Sequence, residues 1–248
     1  MPKISLSKIA TRAPRNMDKD ATKKKLASIC NELDDLQNLM FAEGKHSILV
    51  ILQGMDASGK DGLIRDVFST MNPQGVQVTS FKVPTAEELS HDFLWRIHKH
   101  TPAKGMIKIF NRSHYEDVLV TRVHGLIDDK TARRRMQAIN AFERLLLQHN
   151  DTHIIKIYLH VSHEKQQERL AERMEIPEKM WKYNARDLEE SKLWDKYTAY
   201  YEEVFAECDD PEWNIIPADH NWYKSYLVAK LLHDKMKSLK MKYPGMKK

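Results

Sequence analysis

Residues 48–62 read ILVILQGMDASGKDG, and their order fixes how the rest of the chain is arranged. An apolar, β-branched run from Ile48 to Leu52 ends at Gln53; a glycine-bounded loop follows to Lys60; a helical pattern begins at Asp61. Strand, loop and helix in that order make an anion cradle. Gly54 and Gly59 admit backbone dihedrals that other residues resist, so successive N–H groups of Ala57, Ser58 and Gly59 point into one concavity. The N-terminus of the following helix, around Gly62 and Arg65, adds partial positive charge, and Lys60 adds an ammonium. The spacing is that of a phosphate loop with one departure: Asp61 stands where a Ser or Thr hydroxyl usually meets Mg²⁺.

Working outward, the 248 residues are enough for one α/β domain, residues 1–248, and the 30% of charged residues argues against a membrane protein. No apolar run reaches the roughly 20 residues a spanning helix needs, and the first 15 residues lack the apolar core of a secretory signal. Cys30 and Cys208 lie far apart without metal spacing, which favours a reducing cytoplasm and two buried thiols. The net charge of +5 is unevenly spread: residues 1–25 carry +6, residues 235–248 carry +6, and residues 26–234 carry −7. A basic arm over residues 1–20, expected to be disordered, and a basic tail over 235–248 therefore hold the excess. A nucleic-acid surface on the core is not supported.

Periodicity places helices at about 21–41, 91–99, 131–148, 162–174 and 221–239, and one through Tyr201 and Phe205. Strands fall at about 48–52, 76–81, 106–110, 154–161 and 213–216. Gly44 suits a helix C-terminus, and Thr85 with Glu88 forms a capping box. Strands alternating with helices imply a mostly parallel sheet covered on both faces, with the ligand beyond the strands' carboxyl ends.

At those ends stand the candidate cations Lys60, Lys82, Arg112, Arg122, Arg169 and Arg173, and the candidate carboxylates Asp56, Asp61, Glu116 and Asp117. Phosphoryl transfer needs positioned cations and metal more than a strong base, so this supply suits it. Asp56 is the sharpest anomaly, since a carboxylate inside an anion loop repels phosphate unless a cation neutralises it. Blander readings stand beside these. Asp56 also fits a turn stabiliser, Arg112 with Glu116 a structural ion pair, Lys82 an ordinary surface lysine, and Arg133–Arg135 a solvated helix face. His114 and His220 lack ligand spacing, and Trp181, Trp194, Trp213 and Trp222 suit packing or a stack on a nucleobase.

Several stretches resemble the polyphosphate kinase 2 family. They are GMDASGKDG at 54–62, NPQGVQVTSFKVPTAEELSHDFLWR at 72–96, IFNRSHYEDVLVTRVH at 109–124, WKYNARDLEES at 181–191 and WNIIPADHNWYKSYLVAKLL at 213–232. The resemblance runs in matching order over about 200 residues, from 24 to 232. It implies a three-layer, thymidylate-kinase-like P-loop kinase fold: a five-stranded parallel sheet between helices, with a helical lid at about 174–190. It also implies a transferase that moves the terminal phosphate of inorganic polyphosphate to a nucleotide with Mg²⁺, or Mn²⁺ as a substitute, in a cytoplasmic homo-oligomer. Carried over by motif, Asp56, Lys60 and Asp61 belong to the Walker A site, and Asn111 and Arg112 to Walker B. Arg169 and Arg173 precede the lid. Many members have Asp where this chain has Asn111, which shifts the metal burden to Asp56, with Asp61 or Glu116 as alternatives. The FNRSHYED form resembles members that accept both AMP and ADP, with guanine nucleotides as further acceptors; the chain lacks the second tandem domain of some AMP-specific relatives. Two other readings of the residues compete: an ATP-dependent kinase on the same fold, and a non-catalytic polyanion-binding protein using its basic tails.

Overall fold

In the computed structural model, which describes residues 4–246, the quoted run becomes the central strand of the sheet. Residues 1–3 of the expected arm and 247–248 of the expected tail lie outside the described residues. A short 3₁₀ turn at Leu6–Lys8 comes first, then α1 (Lys19–Glu43), β1 (Ser47–Gln53), α2 (Lys60–Phe68) and β2 (Val76–Ser80). Two short helices, α3 (Ala86–Leu89) and α4 (Trp95–His98), lead to β3 (Ile107–Asn111). After a 3₁₀ turn at His114–Asp117 come α5 (Val120–Val123), α6 (Asp129–His149), β4 (Thr152–His160) and α7 (His163–Glu175). The chain ends through α8 (Pro177–Met180), α9 (Arg186–Ser191), α10 (Trp194–Glu207), β5 (Trp213–Pro217) and α11 (Asn221–Ser238).

All five strands pair in parallel, in the order β2-β3-β1-β4-β5. Every residue of β1 is buried, as its continuous apolar run requires of a strand covered on both faces. Helices flank the sheet: α11 packs on both α1 and α2, and α6 packs on β4. The connection leaving β1 runs to one side of the sheet, towards β2, and that leaving β3 to the other, towards β4, so the gap between β1 and β3 is the switch point where α/β sheets open a crevice for ligand. No helix among the described residues is long and apolar enough to cross a membrane.

The local signals act as their chemistry dictates. Gly44 closes α1 with a left-handed φ of 64°, and Thr85 and Glu88 form both bonds of the capping box. Ser162 caps α7 by accepting from Lys165 N. The helix expected over 91–99 is shorter, Trp95–His98, because Asp92 uses its carboxylate on Leu94 N and holds a turn there. The basic arm is a larger correction. Leu6 is 3% exposed, and His160 Nε2 lies 3.1 Å from Leu6 O and 3.2 Å from Ile9 O. Thr11 Oγ1 donates to Asp219 Oδ2 at 2.9 Å. Residues 4–12 of this arm pack against the ends of β4 and β5, since their apolar side chains outweigh the charge that suggested disorder.

One buried polar cluster matters for the site. Glu143 of α6 is fully enclosed and accepts from Tyr115 OH at 2.9 Å and from Lys156 Nζ of β4 at 3.0 Å, with His114 Nε2 at 3.0 Å. Lys156 also donates to Cys208 O at 2.8 Å. This ties the turn after β3 to α6 and β4, and so fixes where Arg112 and Glu116 stand. Cys30 and Cys208 are buried free thiols, as expected.

Candidate active site

The loop between β1 and α2 has the backbone its glycines predict. Gly54 has φ 150°, and a Cβ there would lie 2.9 Å from both Leu159 O and Ser58 Oγ. Gly59 takes φ 91° as the residue before α2, and Ala57 also adopts a positive φ of 59°. The loop therefore curls tightly over the end of the sheet. Lys60 is buried within it, donating to Gly54 O at 2.8 Å and Met55 O at 3.2 Å. Burial, reinforced by the charge of Arg112, lowers its pKa to about 8.

Asp56 faces Arg112, and the two form a short ion pair across the mouth of the loop. Burial alone would raise the Asp56 carboxyl, but Arg112 and Lys60 outweigh it and hold it below the ordinary carboxylate range. Arg112 sits directly after β3 with φ 61°, while its N–H donates to Leu52 O of the neighbouring strand at 3.1 Å. A left-handed arginine costs on the order of 1 kcal/mol, and here it turns the guanidinium over the loop. The expected Arg112–Glu116 pair is therefore replaced by Arg112–Asp56. Glu116 instead accepts from Gln53 Nε2 at 3.0 Å, and burial raises its pKa despite Arg112 and Lys60.

Asp61, in the first turn of α2, accepts from Asn111 Nδ2 at 2.9 Å and from Lys182 Nζ at 3.0 Å. Arg169 of α7 clamps the loop to the end of β5: Nη1 donates to Ala57 O at 3.0 Å, and Nη2 to Ala218 O at 2.8 Å and Asp219 O at 3.1 Å. Arg173, one turn further along α7, pairs with Asp187 of α9, and its charge also reaches Asp56. The expected lid is thus three helical pieces, the end of α7, α8 and α9; Arg173 ties α7 to α9, and Lys182 ties the lid to Asp61 at the start of α2.

The loop residues Gly54, Asp56, Ala57, Ser58, Gly59, Lys60, Asp61 and Gly62 thus share one strand end with Asn111, Arg112, Glu116, Arg169 and Arg173. Four others do not join them. Arg122 is held by Asp129 at 2.8 Å and Glu203 at 2.7 Å and lies over the Tyr200 ring, a structural tie between α5, α6 and α10. Asp117 is buried between Arg96 at 3.6 Å and Arg135 at 3.9 Å, facing away from the loop. That contact also takes Arg135 out of the solvated face expected for 133–135. Arg65 points into solvent on α2, 3.8 Å from Asp66. Lys82 follows β2 with its side chain exposed and without an ion-pair partner among the described residues.

Two further residues that the sequence did not single out also hold the loop, although Lys224 lies within the quoted stretch 213–232. Lys224 of α11 is buried, donates to Gly59 O at 2.9 Å and Asn221 Oδ1 at 3.1 Å, and has its pKa lowered to about 7 by burial and by Arg169. Gln166 of α7 donates to Asp56 O at 3.1 Å. The signal for Lys224 was a lysine set in the buried stripe of Ser225, Val228, Ala229 and Leu232.

The donor set also fits a hard divalent cation. Arg112 occupies Asp56 Oδ1, whereas Asp56 Oδ2 has no protein partner among the described residues. One carboxylate oxygen, completed by phosphate oxygens and water, is the environment Mg²⁺ takes.

A parallel sheet in this strand order, with a lysine-bearing phosphate loop, an arginine at the end of β3 and an arginine-carrying lid, defines a P-loop phosphotransferase. A family profile described as polyphosphate kinase 2 (PPK2) matches residues 16–244, and the chain belongs to that family. It is 47% identical to the AMP/ADP-polyphosphate phosphotransferase of Meiothermus ruber, covering 91% of this chain and 85% of that one. It is 41% identical to the ADP-polyphosphate phosphotransferase of Rhodopseudomonas palustris, covering 98% and 89%. The crystal structure of polyphosphate kinase 2 from Arthrobacter aurescens superposes with a TM-score of 0.94 at 40% identity, over 100% of this chain and 90% of that one.

Proposed function

We propose that this chain transfers the terminal phosphate of inorganic polyphosphate to ADP and to AMP, giving ATP and ADP, with Mg²⁺ and in either direction according to substrate ratio. The observation that carries this reading is the family match across residues 16–244, which includes a loop whose own carboxylate, Asp56, is paired with Arg112. The name of the Meiothermus ruber relative supports AMP alongside ADP. Guanine nucleotides are proposed as further acceptors.

The attacking phosphate oxygen is already anionic at neutral pH, so deprotonation is not the main barrier. The barrier is bringing two polyanions into line. Lys60 and the loop N–H groups hold the transferred phosphoryl group, and Arg112 offsets charge that develops on it. Arg169, Lys224 and Gln166 keep the loop in shape through the carbonyls of Ala57, Gly59 and Asp56. Asp56 would hold Mg²⁺ through its free carboxylate oxygen, and the ion would supply charge neutralisation to the phosphate groups. Arg173 holds the lid pieces together through Asp187, and Lys182 draws them over the site through Asp61, which excludes water.

The two buried thiols suit a reducing, cytoplasmic setting. Val83 and Leu89, 89% and 71% exposed beside edge strand β2, suit burial against a second copy in a homo-oligomer. The activity is tested by offering AMP, ADP and GDP separately with polyphosphate and Mg²⁺, without any nucleoside triphosphate. ATP formed from ADP is the expected product; its absence sinks the reading. Light scattering on the same preparation tests the oligomer.

A further inference from the structure

At the end of the sheet opposite the phosphate loop, three metal-ligating side chains meet. His46 immediately precedes β1, Asp151 immediately precedes β4, and His153 is the second residue of β4. β1 and β4 pair in parallel, Ser47 opposite Thr152 and Ile48 opposite His153, so the central ladder holds the two strand starts side by side. Gly105 N donates to His46 O at 2.7 Å, which fixes the backbone on the other flank. Asp151 takes a left-handed φ of 52°, a conformation that Asp tolerates better than most residues.

Their donor atoms converge. His46 Nδ1 lies 2.8 Å from Asp151 Oδ2, and His153 Nε2 lies 3.8 Å from Asp151 Oδ1 and 3.3 Å from His46 Nδ1. Hydrogen bonds within the cluster do not satisfy all three at once. A proton on His46 Nδ1 serves either the carboxylate or His153. A proton on His153 Nε2 aimed at His46 leaves the His46 lone pair facing a carboxylate oxygen. A cation between them accepts a lone pair from each. The histidine spacing also fits: bonds of about 2.0–2.1 Å in a tetrahedral arrangement put two imidazole nitrogens about 3.3–3.4 Å apart, while the half-exposed Asp151 carboxylate, now 2.8 Å from His46, turns to meet the ion.

The geometry points to a second cation site, in which His46, Asp151 and His153 bind one divalent transition ion, Zn²⁺ or its imidazole-preferring neighbours Ni²⁺ and Cu²⁺. Two imidazoles and one carboxylate are a nitrogen-rich set, which Mg²⁺ with its demand for oxygen does not favour. Side-chain exposures of 21% for His46, 25% for His153 and 54% for Asp151 let the ion enter without opening the fold and leave a coordination position for water. The site lies a full strand length from the phosphate loop, about 20 Å for the seven residues of β1. Its ion therefore takes no part in phosphoryl transfer. It cross-links the starts of the two central strands, whose ligands are 107 residues apart in the chain. Lys235 adds positive potential at His153, so the affinity is weaker than that of a closed structural site.

The test titrates untagged, full-length protein with Zn²⁺ against a chromogenic indicator, in excess Mg²⁺ so that the phosphate-loop carboxylates are occupied. One equivalent is expected per chain. His46→Ala and His153→Ala should each weaken binding by more than roughly tenfold, the lower end for loss of even an outer-shell partner. Zn²⁺ should raise the melting temperature of the parent protein and not of the variants, while Mg²⁺-dependent turnover with polyphosphate stays the same in both. Should the alanine variants fail to fold, His46→Gln and His153→Gln, which keep side-chain bulk, take their place. No binding by the parent at tens of micromolar Zn²⁺, or equal binding by both variants, overturns the proposal.

Discussion

Lys182 in the lid and Asp61 in the first turn of α2 form a 3.0 Å ion pair between groups 121 residues apart in sequence. Asp61 is the residue that departs from the usual phosphate loop, and the structure gives its carboxylate a latch partner. Both side chains are substantially exposed, so the pair is worth at most about 1 kcal/mol to the fold. Its consequence is in how the lid sits over the loop. Lys182→Ala should leave the melting temperature within about a degree or two while raising KM several-fold, with kcat changed less. Steady-state kinetics with each substrate varied separately reads this. A loss of stability with unchanged KM would make the pair merely structural.

Asp56 and Arg112 neutralise each other across the loop mouth, so removing either leaves a half-buried charge uncompensated. Arg112→Ala should lower kcat by about 10²–10³, the range seen when one group that stabilises transition-state charge is lost. Arg112→Lys should recover only part, since a point ammonium does not reproduce the guanidinium fork. Asp56→Asn should abolish transfer with circular dichroism unchanged. Near-normal turnover in Asp56→Asn would remove that carboxylate from the mechanism.

The strand, loop and helix at 48–62 were legible because glycine spacing and a β-branched run are local signals. The ends of β3 and β4 followed from the same logic. Arg122, Asp117 and Arg65 were not separable from true site residues by position. Whether a long basic side chain meets phosphate or protein depends on partners distant in sequence, such as Glu203 for Arg122. The reverse holds for Lys224 and Gln166, which lie far from the loop in sequence and touch only its carbonyls. Disorder in the arm was read from charge, while Leu6, one apolar residue within it, docks the segment.

Lys224 predicts a pH dependence. Its pKa is lowered from 10.5 to about 7, first by burial and then by Arg169. A lowered lysine means the fold opposes the charged form, so a stability penalty is fully present below pH 7. That penalty shrinks as pH rises from 7 towards 10.5, where the unfolded chain binds the extra proton. Binding runs the other way, because the protonated amine behind Gly59 favours phosphate in the loop. In the parent enzyme kcat/KM should therefore fall as pH rises through about 7. In Lys224→Met that limb should flatten, at a lower value in acid. An unchanged limb in Lys224→Met would assign the titration to another group.

The N-terminal arm reaches the same loop by a continuous set of bonds. Thr11 O accepts from Asp219 N at 3.0 Å, and Asp219 Oδ1 accepts from Ser162 N at 2.8 Å at the start of α7. Asp219 O and Ala218 O in turn accept from Arg169, whose other nitrogen holds Ala57 in the loop. Leu6→Ala should cost about 2–4 kcal/mol by urea denaturation, as for other enclosed leucines. Deleting residues 1–12 removes Leu6 and the Thr11–Asp219 bonds together, and should lower both stability and kcat/KM. Deleting residues 243–248, of which 243–246 are exposed, should change neither. If the arm deletion leaves urea midpoint and turnover at parental values, the arm only drapes the surface and Asp219 holds Arg169 unaided.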